Sequence, residues 1–187
     1  DLFADFNGLP GGGAAATIEP LREHLDAYEG HLANNLGAGV QACWRGPRLY
    51  DSEETKALVK KWVAWFKEHR DILESDIIHG RRADGRDVDY LLHVNPRLKS
   101  RGFAMIHNPL AVVAERAIIL PLYYTGLTNT ALIRVQDGQP TRYKLDRQFG
   151  VRSPIKVPGG GRTWLTVESP CSQPPTQAYG RSKKGTT

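Results

Sequence analysis

Cysteine is scarce in this sequence: Cys43 and Cys171 are its only two, far apart, one inside an apolar segment and the other in a proline-rich tail. That spacing supports neither a disulfide framework nor a metal cluster, and it leaves the redox compartment and the localisation open. Histidine is represented by His24, His31, His69, His79, His93 and His107. They form no HExxH pattern and none pairs with a cysteine, so no zinc site and no cofactor is expected. Long apolar runs are missing as well, which excludes a membrane-spanning helix. The first residues, DLFADFNGLPGGG, lack a basic region followed by an apolar stretch and do not read as a signal peptide. An opening on Asp1 rather than Met fits a piece of a longer protein.

Charge of one sign is in short supply too. The net charge is +5, and Arg181, Lys183 and Lys184 in the terminal tail supply three of those charges. The remaining basic residues are interleaved with acids, as where Arg81, Arg82 and Arg86 sit among Asp84, Asp87 and Asp89. A nucleic-acid partner is not expected from such a pattern.

What is present is a globular composition, with 40% hydrophobic residues, enough for a packed core. After a glycine- and alanine-rich stretch, Thr17 marks a helix start and Pro20 falls in the first turn. Leu21, Leu25, Tyr28, Leu32 and Leu36 then recur at helical spacing, predicting an amphipathic helix over 18–35. Gly37 and Gly39 stop it, and LGAGVQACW reads as a short strand covered on both faces. Asp51 and Glu54 have the spacing of a capping box, with Glu53 favouring the positive end of the helix dipole. A second helix begins there and runs to about residue 73, burying Leu58, Trp62, Trp65 and Phe66 and exposing Lys56, Lys60, Lys61 and Lys67.

From residue 76 the pattern changes to short segments rich in β-branched and aromatic residues: DIIHG, DYLLHV, GFAMIHN, RAIILPLYY, ALIRVQ, TRYKLD, SPIKV and RTWLTVE. Between them lie ADGRD, NPRLKSR, DGQP and PGGG, which carry the residues that turns require. The expected fold class is therefore α+β: a helix–strand–helix piece of α/β character, then an all-β antiparallel sandwich. The expected divisions are a flexible segment 1–16, the α/β piece 17–75, the β-domain 76–169 and a disordered tail 170–187.

The order of strand, loop, tryptophan-rich helix and β-strands resembles the last βα unit of the TIM barrel and the C-terminal domain of the α-galactosidase (melibiase) group. The stretch LYDSEETKALVKKWVAWFKEHRDILESDIIHGRR corresponds to the final barrel helix leading into the first strand of the β-domain. VDYLLHVNPRLKSRGFAMIHNP looks like the strand pair that opens such a sheet. The resemblance covers roughly residues 17–168. It implies a parent glycoside hydrolase of retaining mechanism, which works through two carboxylates held about 5 Å apart. That family carries them on earlier barrel strands, so no catalytic residue is assigned here, and the chain alone is expected to be inactive. A carbohydrate substrate would be met through the parent barrel.

Any substrate contact is expected after the strand containing Cys43, since barrel active sites gather at the C-terminal ends of strands. That singles out Trp44, Arg45 and Arg48. Trp44 would stack on a sugar face and the arginines would donate to hydroxyls. The plainer alternative is that Trp44 seals the barrel rim while the arginines bond loop carbonyls. Asp51, Glu53 and Glu54 belong to a helix start, and Asp84, Asp87 and Asp89 to a turn. Trp62, Trp65 and Phe66 read as core rather than as sugar-stacking rings, and of Tyr123 and Tyr124 one is expected to face the core. Two functions remain: a glycosidase fragment that stiffens its barrel, or a non-catalytic β-sandwich module binding carbohydrate or protein.

Overall fold

A computed structural model describes residues 19–40 and 48–170. A 3-10 turn at Leu21–Glu23 precedes helix α1, Leu25–Gly37. The predicted helix over 18–35 is thus interrupted at His24, whose ψ of 40° is not helical and which supplies no side-chain cap. Of the expected apolar stripe, Leu21, Tyr28, Leu32 and Leu36 are buried, while Leu25 is half-buried.

The predicted strand LGAGVQACW is corrected over its first residues. Leu36 and Gly37 are still helical, and Ala38 and Gly39 form a turn. Its glycines serve contact rather than a strand. A Cβ at Gly37 would lie 2.9 Å from the Met105 side chain, and one at Gly39, where φ is +70°, would lie 1.9 Å from the Leu73 carbonyl oxygen. Val40 is in no strand, its amide donating to the Asn35 carbonyl at 3.1 Å, and residues 41–44, including Cys43, lie outside the described residues.

Helix α2, Glu53–Leu73, ends where the sequence predicts but is capped one residue later than the Asp51/Glu54 reading. Ser52 Oγ accepts from the Thr55 amide at 3.2 Å, and Thr55 Oγ1 accepts from the Ser52 amide at 3.0 Å. The threonine hydroxyl takes the part usually played by a glutamate at the third helical position. Asp51 instead accepts from the Thr55 hydroxyl at 3.2 Å.

Eight strands follow: β1 Asp76–Arg81, β2 Asp89–Val94, β3 Ser100–His107, β4 Ala114–Pro121, β5 Thr130–Val135, β6 Thr141–Lys144, β7 Gly150–Val157 and β8 Arg162–Glu168. Each falls on one of the eight predicted segments. All pairings are antiparallel, in a six-stranded sheet ordered β1-β2-β3-β8-β5-β6 and a two-stranded sheet ordered β4-β7. Tyr123 and Tyr124 are not in a strand; they sit in a 3-10 turn, Tyr123–Thr125, both 62% exposed.

Strand alternation places the larger sheet in the middle of three layers. Leu92, Ala104, Ile106, Leu165 and Val167 face Ile118, Leu120, Val151 and Ile155 of the small sheet. Phe103, Met105 and Trp164, on the opposite face, meet Leu32, Leu36, Trp62 and Trp65 of the helices. Burial on both faces explains why β3 reads as the continuous apolar run FAMI rather than as a two-period pattern. His93, fully buried on β2, ties the layers together, with Nε2–H donating to the Gly37 carbonyl at 2.9 Å.

Candidate functional site

The junction of helices and sheet opens into a groove of about 720 Å³ lined by Asp26 and Glu29 of α1, Lys61, Trp62 and Trp65 of α2, Gln136 after β5, the Pro158–Gly161 turn, and Arg162 and Trp164 of β8. Each group arrives there by the periodicity of its element. Asp26 and Glu29 are three residues apart on one helix face, as are Trp62 and Trp65, while Arg162 and Trp164 are two apart on a strand and share its face.

The aromatic wall is a set of edge-to-face contacts centred on Trp65. Its ring lies 5.1 Å from Trp62, 5.3 Å from Trp164 and 5.7 Å from Phe103, at interplanar angles of 67–72°. This is the preferred geometry for rings whose edges are positive and faces negative. Trp65 Nε1–H is buried without an acceptor among the described residues.

The polar side is built around Glu29, whose Oε1 accepts from Lys61 Nζ at 2.6 Å and from Trp62 Nε1–H at 3.1 Å. Burial pushes this carboxyl up, but the bonds from Lys61 and Trp62 and the Lys61 and Arg162 charges outweigh it and hold the group below the usual range. Arg162 lies with its guanidinium 5.9 Å from the Trp62 ring centroid. Burial draws it down from its ordinary value while the Glu29 and Asp26 carboxylates act the other way. Among the described residues that guanidinium makes no hydrogen bond and no ion pair. Gln136 adopts φ of +48° and donates from Nε2 to Thr163 Oγ1 at 3.2 Å.

The turn forming the floor is pinned from behind by Asn108, 2% exposed. Its amide nitrogen donates toward the carbonyls of Val112 at 2.9 Å, Val157 at 3.1 Å and Pro158 at 2.9 Å. Its oxygen accepts from the Leu110 amide at 3.1 Å.

Of the residues named from sequence as substrate contacts, Trp44 and Arg45 lie outside the described residues. Arg48 is more than half exposed and pairs with Glu19 at 3.4 Å. Arg48 does not line the groove. The reading of Trp62 as core holds, since it is 3% exposed. Arg162, Trp164 and the glycine turn were missed as a group, although the two-residue spacing of Arg162 and Trp164 within RTWLTVE signals a shared face. The acids of the 84–89 turn have structural duties. Asp84 accepts from Arg81 at 2.8 Å and Asp87 accepts from Arg116 at 2.9 Å.

Three histidines around this junction are held neutral by burial: His69, His93 and His107, the last pulled down to about 4. Above the unfolded value near 6.5 they contribute nothing to the pH dependence. As pH falls below it, the unfolded chain takes up protons that the fold refuses, so stability is lost from 6.5 downward until each folded pKa is passed. For His107 alone the loss amounts to about 3 kcal/mol by pH 4. Urea titrations across this range should show it, and His107→Gln should flatten the profile. An unchanged profile in that variant would remove His107 from the account.

No protein-family model and no curated protein matches the sequence. Comparison with solved structures finds AmyP in complex with maltose, at 11% identity and a TM-score of 0.40 over 66% of this chain. It also finds the α-amylase of Geobacillus thermoleovorans, GTA, complexed with acarbose, at 12% identity and 0.43 over 66%. A third is AmyP E221Q in complex with maltotriose, at 10% and 0.46 over 91%. The chain spans 23%, 26% and 38% of those three chains. These neighbours are glycoside hydrolase chains of the α-amylase family, and none is of the α-galactosidase group.

Proposed function

We propose that this chain is the C-terminal part of a glycoside hydrolase, in which the β-domain clamps the closing helices of a β/α barrel and the catalytic carboxylates lie elsewhere in the parent. The observation that carries this reading is the relative direction of the two helices. The Tyr28 hydroxyl donates to the Leu49 carbonyl near the start of both helices, Glu29 meets Lys61 and Trp62 further along, and Gly39 abuts Leu73 at their ends. α1 and α2 therefore run parallel. Parallel neighbours require the chain to return to its starting end between them, as it does between consecutive helices of a barrel, whereas a short helical hairpin gives antiparallel neighbours.

The aromatic face of α2 supports the clamp. It is buried against β3 and β8, and covering a helix in this way stabilises at roughly 25 cal/mol per Å² of apolar surface removed from water. The wording of residues 49–82 favours an α-galactosidase-like parent within the glycoside hydrolases. Trp44, Arg45 and Arg48 would then border its barrel mouth, on the side where α2 begins.

The chain by itself is expected to show no turnover of aryl α-galactosides or other aryl glycosides, because a glycosidase needs both of its carboxylates in place. Joined to the polypeptide that precedes it in its gene, it should yield glycoside hydrolysis, and deleting residues 76–168 from that longer protein should lower its melting temperature. Turnover that copurifies with the isolated chain would overturn the reading, and so would an upstream sequence with no β/α repeats.

A further inference from the structure

We propose that the tryptophan groove between α1, α2 and β8 is a binding site for a neutral saccharide. It stands on the groove's own chemistry and does not depend on the parent's being a hydrolase. At about 720 Å³ the groove is in the range of small-ligand sites, and its walls join an aromatic side to a polar side. A sugar ring presents both kinds of surface: a face of C–H groups that packs on indole, and an equatorial rim of hydroxyls that donate and accept at once.

The polar groups match such a rim better than they match an ion. Glu29 and Asp26 are negative, Lys61 and Arg162 positive, so an anion entering to meet Arg162 would also meet two carboxylates, and a cation the reverse. A hydroxyl pair satisfies both signs, accepting from a guanidinium and donating to a carboxylate. Three groups are in place for it. The Arg162 guanidinium has no hydrogen-bond partner among the described residues, the Glu29 carboxylate keeps spare lone pairs beside its bonds to Lys61 and Trp62, and the exposed Gln136 amide borders the rim. The carboxylate is held on two sides and the rings interlock edge to face, so little ordering remains to be done on binding.

The test is titration of the full 187-residue chain with maltotriose, raffinose and cellotriose, read by tryptophan fluorescence and by amide shifts of residues 158–164. Inorganic phosphate and a glutamate-rich peptide serve as charged controls. We expect saturable binding of at least one saccharide with a dissociation constant on the order of 1 mM. Arg162→Met, which keeps the aliphatic stem, and Glu29→Gln should each weaken it about tenfold while leaving the thermal melt within a few degrees of the parent chain. Trp164→Ala should abolish it, but because that change also strips the core, the two polar variants carry the decision. The proposal is overturned by absence of saturation with all three sugars up to about 50 mM. It is equally overturned if phosphate or the acidic peptide binds in their place, or if the affinity is unchanged in folded Arg162→Met and Glu29→Gln.

Discussion

Replacing Trp65 with alanine should cost the fold about 3 kcal/mol, the low end of the range for removing a large core aromatic, since the ring is only partly buried. The size of the effect follows from where the ring sits. It touches Trp62 of its own helix, His69 one turn on, Phe103 of β3 and Trp164 of β8, so one side chain joins the helical layer to two adjacent central strands. Edge-to-face pairs contribute about 0.5–1.5 kcal/mol each beyond the area they bury. Trp65→Phe should lose much less, since a ring remains and the indole N–H it deletes has no acceptor among the described residues. Denaturant unfolding followed by circular dichroism measures both. A loss under about 1 kcal/mol for Trp65→Ala would mean that the helices are held to the sheet by other contacts.

Asn108→Asp, an isosteric change at a residue 2% exposed, should cost about 4 kcal/mol or more at neutral pH. The substitution removes the amide hydrogens that point at three carbonyls and sets a carboxylate in their midst, with each buried group left unpaired costing about 1–3 kcal/mol. Asn108→Ala should be milder, because it creates vacancy without like-charged oxygens in contact. The difference between the two variants should narrow on acidification, as a carboxyl surrounded by carbonyl oxygens takes up a proton more readily than one in water. Parallel melts at neutral and acid pH read this directly, and an Asp variant as stable as the Ala variant at neutral pH would contradict it.

Sequence periodicity made most of the architecture legible. All eight strands were foreshadowed because the turns between them are written in Gly, Pro, Asn and Asp, and because β-branched and aromatic residues concentrate where ladders form. The end of α2 at residue 73 was legible for the same local reason. What escaped was whatever depends on a distant partner. Gly37 and Gly39 look like strand glycines until Met105 and the Leu73 carbonyl are set against them. Tyr123 and Tyr124 extend an apolar run yet leave the strand, because Pro121 ends it. The groove was invisible for a related reason: Glu29, Trp65, Asn108 and Arg162 come from four separate segments, and only the three-layer packing assembles them. Trp62 was correctly read as core and Trp65 is partly buried against it, but the same rings also wall the groove.

β8 is the last strand among the described residues, yet it is hydrogen-bonded on both sides, to β3 and to β5, at the centre of the larger sheet. A polypeptide made from its N-terminus therefore emerges as two incomplete sheets, β1-β2-β3 and β5-β6, each with an open edge waiting for the same late segment. Until Arg162–Glu168 has left the ribosome there is no central partner for either, and the aromatic face of α2 has only part of its seat. The larger sheet is thus closed by a keystone rather than by an edge strand, and the waiting edges make the nascent chain most vulnerable to intermolecular pairing just before β8 emerges.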